Sequence, residues 1–233
     1  EGYELTTLTA NDTDIFATPK VVVKETTEVK ATFAKKTYAV TLTKEGEGTL
    51  TATGANNLNA VPYGTELTIV ATPADGYELT ALTANDTDIL ASKKVVVKED
   101  TEVKAIFTKK TFAVELTQEG EGLLNATGAD DLNAVPFDTE LTIEATPAAD
   151  YELKALTANG TDILATKKVV VKGATEIKAT FAKKTFTVTL AKVGEGKLNA
   201  TGADNLNAVA YGTELTIDAT PAEGYYLMAL TAN

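Results

Sequence analysis

The sequence has no cysteine, histidine, tryptophan or arginine, and only one serine (Ser92), one methionine (Met228) and one glutamine (Gln118). Without cysteine there is no disulfide, no thiolate metal site and no thiol nucleophile. Without histidine the usual general base, proton shuttle and transition-metal ligand are missing, and a Ser-His-Asp arrangement cannot be assembled. Without arginine there is no bidentate fork for phosphate, and all 21 basic residues are lysine. The formal net charge is -12 and no basic cluster exceeds Lys-Lys, so nucleic acid is a poor partner. This inventory speaks against an enzyme, and no catalytic residue, metal ligand or cofactor is assigned. No apolar run is long enough to cross a membrane and no signal peptide is recognisable, so no membrane insertion is expected in this segment. The chain opens at Glu1 in the middle of a repeat, which reads as a piece of something longer.

What the sequence does have is a period. Gly2-Tyr3-Glu4-Leu5 returns as Gly76-Tyr77-Glu78-Leu79, as Asp150-Tyr151-Glu152-Leu153 and as Gly224-Tyr225-Tyr226-Leu227, a spacing of 74 residues (76 less 2) without insertions. Such a period fits a small module copied in tandem. Lys-Lys pairs mark the edges. Residues 1-34 are the closing part of a module, 35-108 and 109-182 are complete modules, and 183-233 are the opening part of another. The joints, such as Phe107-Thr108-Lys109-Lys110-Thr111-Phe112, hold no Gly, Ser or Pro and are expected to be stiff.

Within one period, alternation and turn residues predict about six strands and no convincing helix. Residues 111-116 read as a half-buried strand carrying Phe112, Val114 and Leu116 on one face, and Gly120-Glu121-Gly122 as a hairpin turn into 123-127. Strands follow at 140-145, 151-158, 167-172 and along Ile177, Ala179 and Phe181, with one helical turn conceivable at 163-166. Comparison between copies supports the turns. Gly160 stands where Asp12 and Asp86 stand, and Asp138 where Gly64 and Gly212 stand, an interchange that suits positive φ.

The ordered pattern Gly-Glu-Gly, then residues 61-77 (Val-Pro-Tyr-Gly-Thr-Glu-Leu-Thr-Ile-Val-Ala-Thr-Pro-Ala-Asp-Gly-Tyr), then Val-Val-Val-Lys at 95-98 and Thr-Glu-Val-Lys-Ala-Ile-Phe at 101-107, resembles the divergent internalin B-repeat family of bacterial surface proteins. Family members often carry an aromatic Gly-Trp soon after Gly-Tyr, where this chain has Ala81-Leu82. The resemblance implies a small β-grasp-like module, exported and arrayed in tandem at the cell surface, without enzymatic activity. The fold expected is therefore all-β, a tandem array of such modules at the 74-residue period forming an elongated rod.

Several motifs invite a chemical reading. Asn85-Asp86-Thr87-Asp88 and Asp130-Asp131 look like fragments of a calcium loop. The corresponding Asn159-Gly160 and Asn56-Asn57 lose carboxylates, so turns are preferred. Gly-Glu-Gly is a poor phosphate loop, because its Glu would repel the anion. Asn-x-Thr sequons, as at Asn85, arise readily in Thr-rich strands. Lys-Asn isopeptide bonds would need a buried lysine that the pattern does not supply. The Lys-flanked valines at 95-97 read as a strand with lysines guarding its edge.

Two functions remain. One is a stalk or extracellular fibre of an exported bacterial surface protein, its chains associating end to end into filaments. Its core and joint residues would be Ile69, Tyr77, Leu79, Phe107 and Phe112, and its partners other copies of itself or neighbouring repeats. The other is a multivalent adhesin for a glycan or a host surface protein, contacting it through Tyr63, Phe137 and Tyr211.

Overall fold

The computed structural model describes residues 1–232, and they form strands and turns with no helix among them. Two compact units divide at Lys110, Glu1–Lys110 and Thr111–Asn233.

The first unit contains a complete module built as two sheets around one core. In the four-stranded sheet the order is Thr87–Asp88, Tyr77–Ala84, Thr101–Lys109, Val40–Glu45. The closing strand, Thr101–Lys109, lies antiparallel to Tyr77–Ala84 and parallel to the opening strand, Val40–Glu45, with Val103 opposite Leu42. In the second sheet Glu66–Pro73 is central, flanked antiparallel by Gly48–Thr53 and by the edge strand Lys94–Val96. Side chains that alternate along each strand meet between the sheets. Leu67, Ile69, Leu82, Val97, Val103 and Ala105 are all at most 1% exposed. Phe107 joins them at 3%, with Tyr77 and Leu79 packed half-buried against the cluster. Burial of this kind contributes roughly 1.5–3 kcal/mol per large side chain, and no buried polar side chain is left without a partner among the described residues.

The second unit repeats this architecture. Thr175–Lys183 is central in its four-stranded sheet, parallel to Val114–Glu119, and Leu141, Ile143, Leu156, Val171, Ile177 and Phe181 fill the core. The six principal strands expected per module are present, joined by three two-residue strands. Residues 163–167 close one helix-like turn through the Lys167 N–H to the Ile163 carbonyl at 2.7 Å, and Lys167 ends it at φ +52°. The expected positive φ values are found at Asp138 (+64°), Gly64 (+80°), Asp86 (+61°) and Gly160 (+78°).

Two local expectations change. Gly120-Glu121-Gly122 is not a hairpin turn. The strand before it, Val114–Glu119, belongs to the four-stranded sheet, and the strand after it, Gly122–Thr127, pairs with Thr139–Pro147 in the other. The turn therefore carries the chain from one layer to the next. The strand expected at 111-116 also breaks, at Ala113. Thr111–Phe112 pairs with Val135–Pro136, whereas Val114 onward pairs with the closing strand. Alternation reports which face a side chain takes but not which neighbour the backbone takes, so it missed both changes.

The partial modules keep their local strands. In residues 1–34, Tyr3–Ala10 pairs with Thr13–Asp14 and Val29–Lys35. In the C-terminal part, Gly196–Thr201 pairs with Thr216–Pro221. Their apolar faces are open. Phe33, the counterpart of Phe107, is 62% exposed, and Ile217, the counterpart of Ile69, is 37% exposed.

Candidate functional site: the joint between repeats

At two joints, Lys36 and Lys184, the chain passes from one repeat to the next through a single lysine whose backbone is bonded on both sides. Lys36 follows Val29–Lys35 and precedes Thr37–Tyr38. Its N–H donates to the Gly2 carbonyl at 2.9 Å, and its carbonyl accepts the Tyr63 N–H at 2.8 Å. The second unit repeats the relay at Lys184, which donates to the Asp150 carbonyl and accepts from the Tyr211 N–H, both at 2.8 Å. Lys184 Nζ adds a bond to the Ala149 carbonyl at 2.6 Å. A backbone bonded on both sides of its one connecting residue has little freedom to hinge, unlike a solvated Gly/Ser tether.

An aromatic pair covers the joint. Tyr38 and Tyr63 lie 6.4 Å apart between ring centroids at 53°, within the range of favourable tilted packing. Phe112–Phe137 and Phe186–Tyr211 repeat the pair at 6.5 and 6.4 Å. Gly2 is buried beneath the Tyr63 ring at φ +73°, and a Cβ there would overlap that ring. Of the three aromatics read as ligand contacts, Tyr63 and Phe137 are thus half-buried, and each packs on a partner ring. Tyr211 is 49% exposed, beside Phe186 at 54%. Of the predicted core and joint residues, Ile69 and Phe107 are core, Tyr77 and Leu79 line it, and Phe112 is the half-buried partner of Phe137.

The acidic turns serve the fold. Asn85 sits at φ +45°, its Oδ1 accepts the Glu102 N–H at 2.8 Å, and its Nδ2 donates to the Asp100 carbonyl at 3.1 Å. Asn11 and Asn159 do the same against residues 28 and 26, and 176 and 174. Asp88 Oδ1 accepts the Leu90 N–H at 2.8 Å, and Asp131 Oδ1 accepts the Asn133 N–H at 2.8 Å. Among the described residues no group of three acidic side chains converges as a cation site would require. Nor is any lysine buried among them, as an isopeptide bond would need.

One element that sequence reasoning missed is a phenylalanine socket. The ring of Phe181 lies over Gly122, where a Cβ would come within 2.8 Å of its Cε2 and Cζ, and the Phe181 carbonyl sits against Gly120. Phe107 does the same over Gly48 and Gly46. The two glycines of Gly-Glu-Gly thus serve the close approach of the closing strand as well as the turn. Their spacing, matched to the final Phe of each repeat, was the available signal.

Four ion pairs join neighbouring strands. Lys94 meets Glu66 at 2.8 Å and Lys168 meets Glu140 at 2.6 Å, joining the edge strand to its neighbour. Lys178 bonds Glu119 at 2.6 Å between closing and opening strands, and Lys104 bonds Glu45 likewise. The carboxylate hydrogen bond, reinforced by the attraction of opposite charges, holds both Lys104 and Lys178 above the ordinary lysine value.

The sequence profile of the divergent InlB B-repeat domain matches residues 38–111, 112–185 and 186–233. The chain belongs to the divergent InlB B-repeat family. Each matched InlB B-repeat begins at the first aromatic of a joint pair, Tyr38, Phe112 or Phe186, three residues inside the edges at 35, 109 and 183. No curated protein matches this chain. InlB B-repeats typically occur in bacterial surface proteins, and here they stand in tandem.

Proposed function

We propose that these InlB B-repeats are a non-enzymatic structural segment, a stalk or extracellular fibre of an exported bacterial protein. The observation that carries this reading is the joint. A closing strand leads into the next repeat through one lysine bonded on both sides, at Lys36 and again at Lys184. A binding module tolerates slack between copies, whereas a shaft does not. Each complete repeat also closes its own core, so lengthening the array needs only further copies. End-to-end association into filaments is the extended form of this reading, with other copies of the chain as partners.

Small-angle scattering on polypeptides of two, three and four repeats tests it. The maximum dimension should grow by a constant increment per repeat. Compact particles, or growth with the square root of repeat number, would refute it. A multivalent adhesin for glycans or host proteins finds its one support in the exposed Phe186–Tyr211 pair. Glycan-array binding lost when Tyr63, Phe137 and Tyr211 are replaced together would favour that alternative.

A further inference from the structure

The two complete modules fold the same two-residue turn from different dipeptides. Asn85-Asp86 joins Tyr77–Ala84 to Thr87–Asp88 in the first, and Asn159-Gly160 joins Tyr151–Ala158 to Thr161–Asp162 in the second. Both turn residues have positive φ, +45° and +61° in the first module, +45° and +78° in the second, as a type I′ turn requires. The asparagine is held alike in both. In the second module its N–H donates to the Glu176 carbonyl at 2.8 Å, its Oδ1 accepts the Glu176 N–H at 2.7 Å, and its Nδ2 donates to the Ala174 carbonyl at 3.2 Å. Asn85 makes the same three bonds to Glu102 and Asp100. What differs is the next residue. Asn159-Gly160 is the one Asn-Gly in the sequence, and both residues are exposed. A Cβ on Gly160 would meet nothing within 4 Å, so packing does not demand glycine there.

Asn-Gly is the dipeptide most open to attack by its own backbone. Glycine has no side chain to shield its nitrogen and leaves the backbone free to swing. The attack needs Cγ of Asn159 brought onto the Gly160 nitrogen. In the folded module the carboxamide is turned toward residues 174 and 176, and both of its bonds must open first. We propose that Asn159 is a self-modifying site, latched by the fold and released when the start of the closing strand opens locally. The Gly160 nitrogen forms a bond to Cγ, the bond from Cγ to Nδ2 breaks, and the amide proton leaves with ammonia. Water then opens the cyclic imide. Opening at the side-chain carbonyl leaves aspartate. Opening at the main-chain carbonyl leaves isoaspartate, with an extra methylene in the backbone. Either product undoes the latch. Aspartate still accepts the Glu176 N–H, but it sets a carboxylate oxygen against the Ala174 carbonyl where Nδ2 had donated. Isoaspartate lengthens a turn whose flanking strands are fixed in register, Ala158 opposite Thr161. The first module has the same latch without the glycine, so modification singles out the second. The inference concerns the turn and stands apart from the stalk reading, which rests on the joints.

Incubation of the whole chain in mildly alkaline buffer, folded and in urea, followed by mass mapping, tests the site. Cleavage after Lys154 and Lys167 gives fragment 155–167, whose only asparagine is Asn159. That fragment should gain the mass of an amide-to-acid exchange and separate into aspartyl and isoaspartyl species. The gain should be about thirtyfold slower in the folded chain than in urea, because two hydrogen bonds must open together. Gly160→Asp installs the dipeptide of the first module, and its rate in urea should fall to that of Asn85 in the same chain. That comparison is made unfolded, so it holds whether or not the variant folds. Asn159→Asp copies the aspartyl product and should lower the folding equilibrium constant of its module by about fivefold in urea unfolding. Equal rates folded and in urea overturn the inference. So does a fragment 155–167 that keeps its mass, or an Asn85 that modifies as fast as Asn159 in urea. An Asn159→Asp chain as stable as the parent also overturns it, because the latch would then hold nothing.

Discussion

Replacing Asn85 and Asn159 together separates what a turn needs from what a strand brace needs. Each Asn occupies a positive φ, +45° in both cases, and its side chain makes two hydrogen bonds to the backbone around the start of the closing strand. Glycine keeps the backbone conformation and loses both bonds, at about 1 kcal/mol each, or about 2 kcal/mol per module. Alanine loses the same bonds and adds about 1 kcal/mol for the left-handed backbone, or about 3 kcal/mol in all. At about 0.05–0.15 kcal/mol per residue, a module of this size holds only about 4–11 kcal/mol, so either change removes a large share. The midpoint should fall by about 8–16 °C for the glycine pair and about 12–24 °C for the alanine pair. Calorimetry with far-ultraviolet dichroism reads both, and urea unfolding at 25 °C checks that the m-value is unchanged. A glycine pair within about 0.5 kcal/mol of the parent would refute the brace, leaving Asn as a turn former alone.

Two further outcomes follow from the same geometry. Gly120→Ala should destabilise its module by about 2–4 kcal/mol, combining positive φ with overlap against the Phe181 backbone. Gly194→Ala, at a similar φ but in open space, should cost only about 1 kcal/mol in dilute solution, and equal losses by urea unfolding would discredit the socket. Lys104 and Lys178 titrate above the ordinary lysine value of 10.5 because of Glu45 and Glu119. A raised folded value means that the pairs contribute fully below the unfolded lysine value, and that the contribution fades as pH rises through the folded one. NMR titration should show both values dropping in a Glu45→Gln/Glu119→Gln chain, and a wild-type midpoint at or below 10.5 would contradict the pairing.

Much of this molecule was legible from local chemistry. Interchange of Gly with Asp at positions 64, 138 and 212 marked a positive-φ turn, and the backbone there is left-handed at Gly64, Asp138 and Gly212. Alternation placed Leu141 and Ile143 inward, and both are at most 1% exposed. Sequence missed what depends on neighbours far along the chain. Nothing local to Asn85 announces that its amide braces residues 100 and 102. Nothing near Gly-Glu-Gly announces that it crosses between sheets and accepts a ring about 60 residues away.

The sequence by itself determined the period, most strand and turn positions, the family, and a side-chain inventory without cysteine, histidine or arginine. All of these are set by each residue and its near neighbours. Tertiary structure alone decided the parallel pairing of first and last strands, the relay through Lys36 and Lys184, and the fates of Phe33 and Phe107. Those two phenylalanines end nearly the same strand sequence and share the same strand geometry, yet one is 62% exposed and the other 3%. Burial belongs to the contact and not to the residue. It exists only where the opening strands and their glycine socket are folded against the ring.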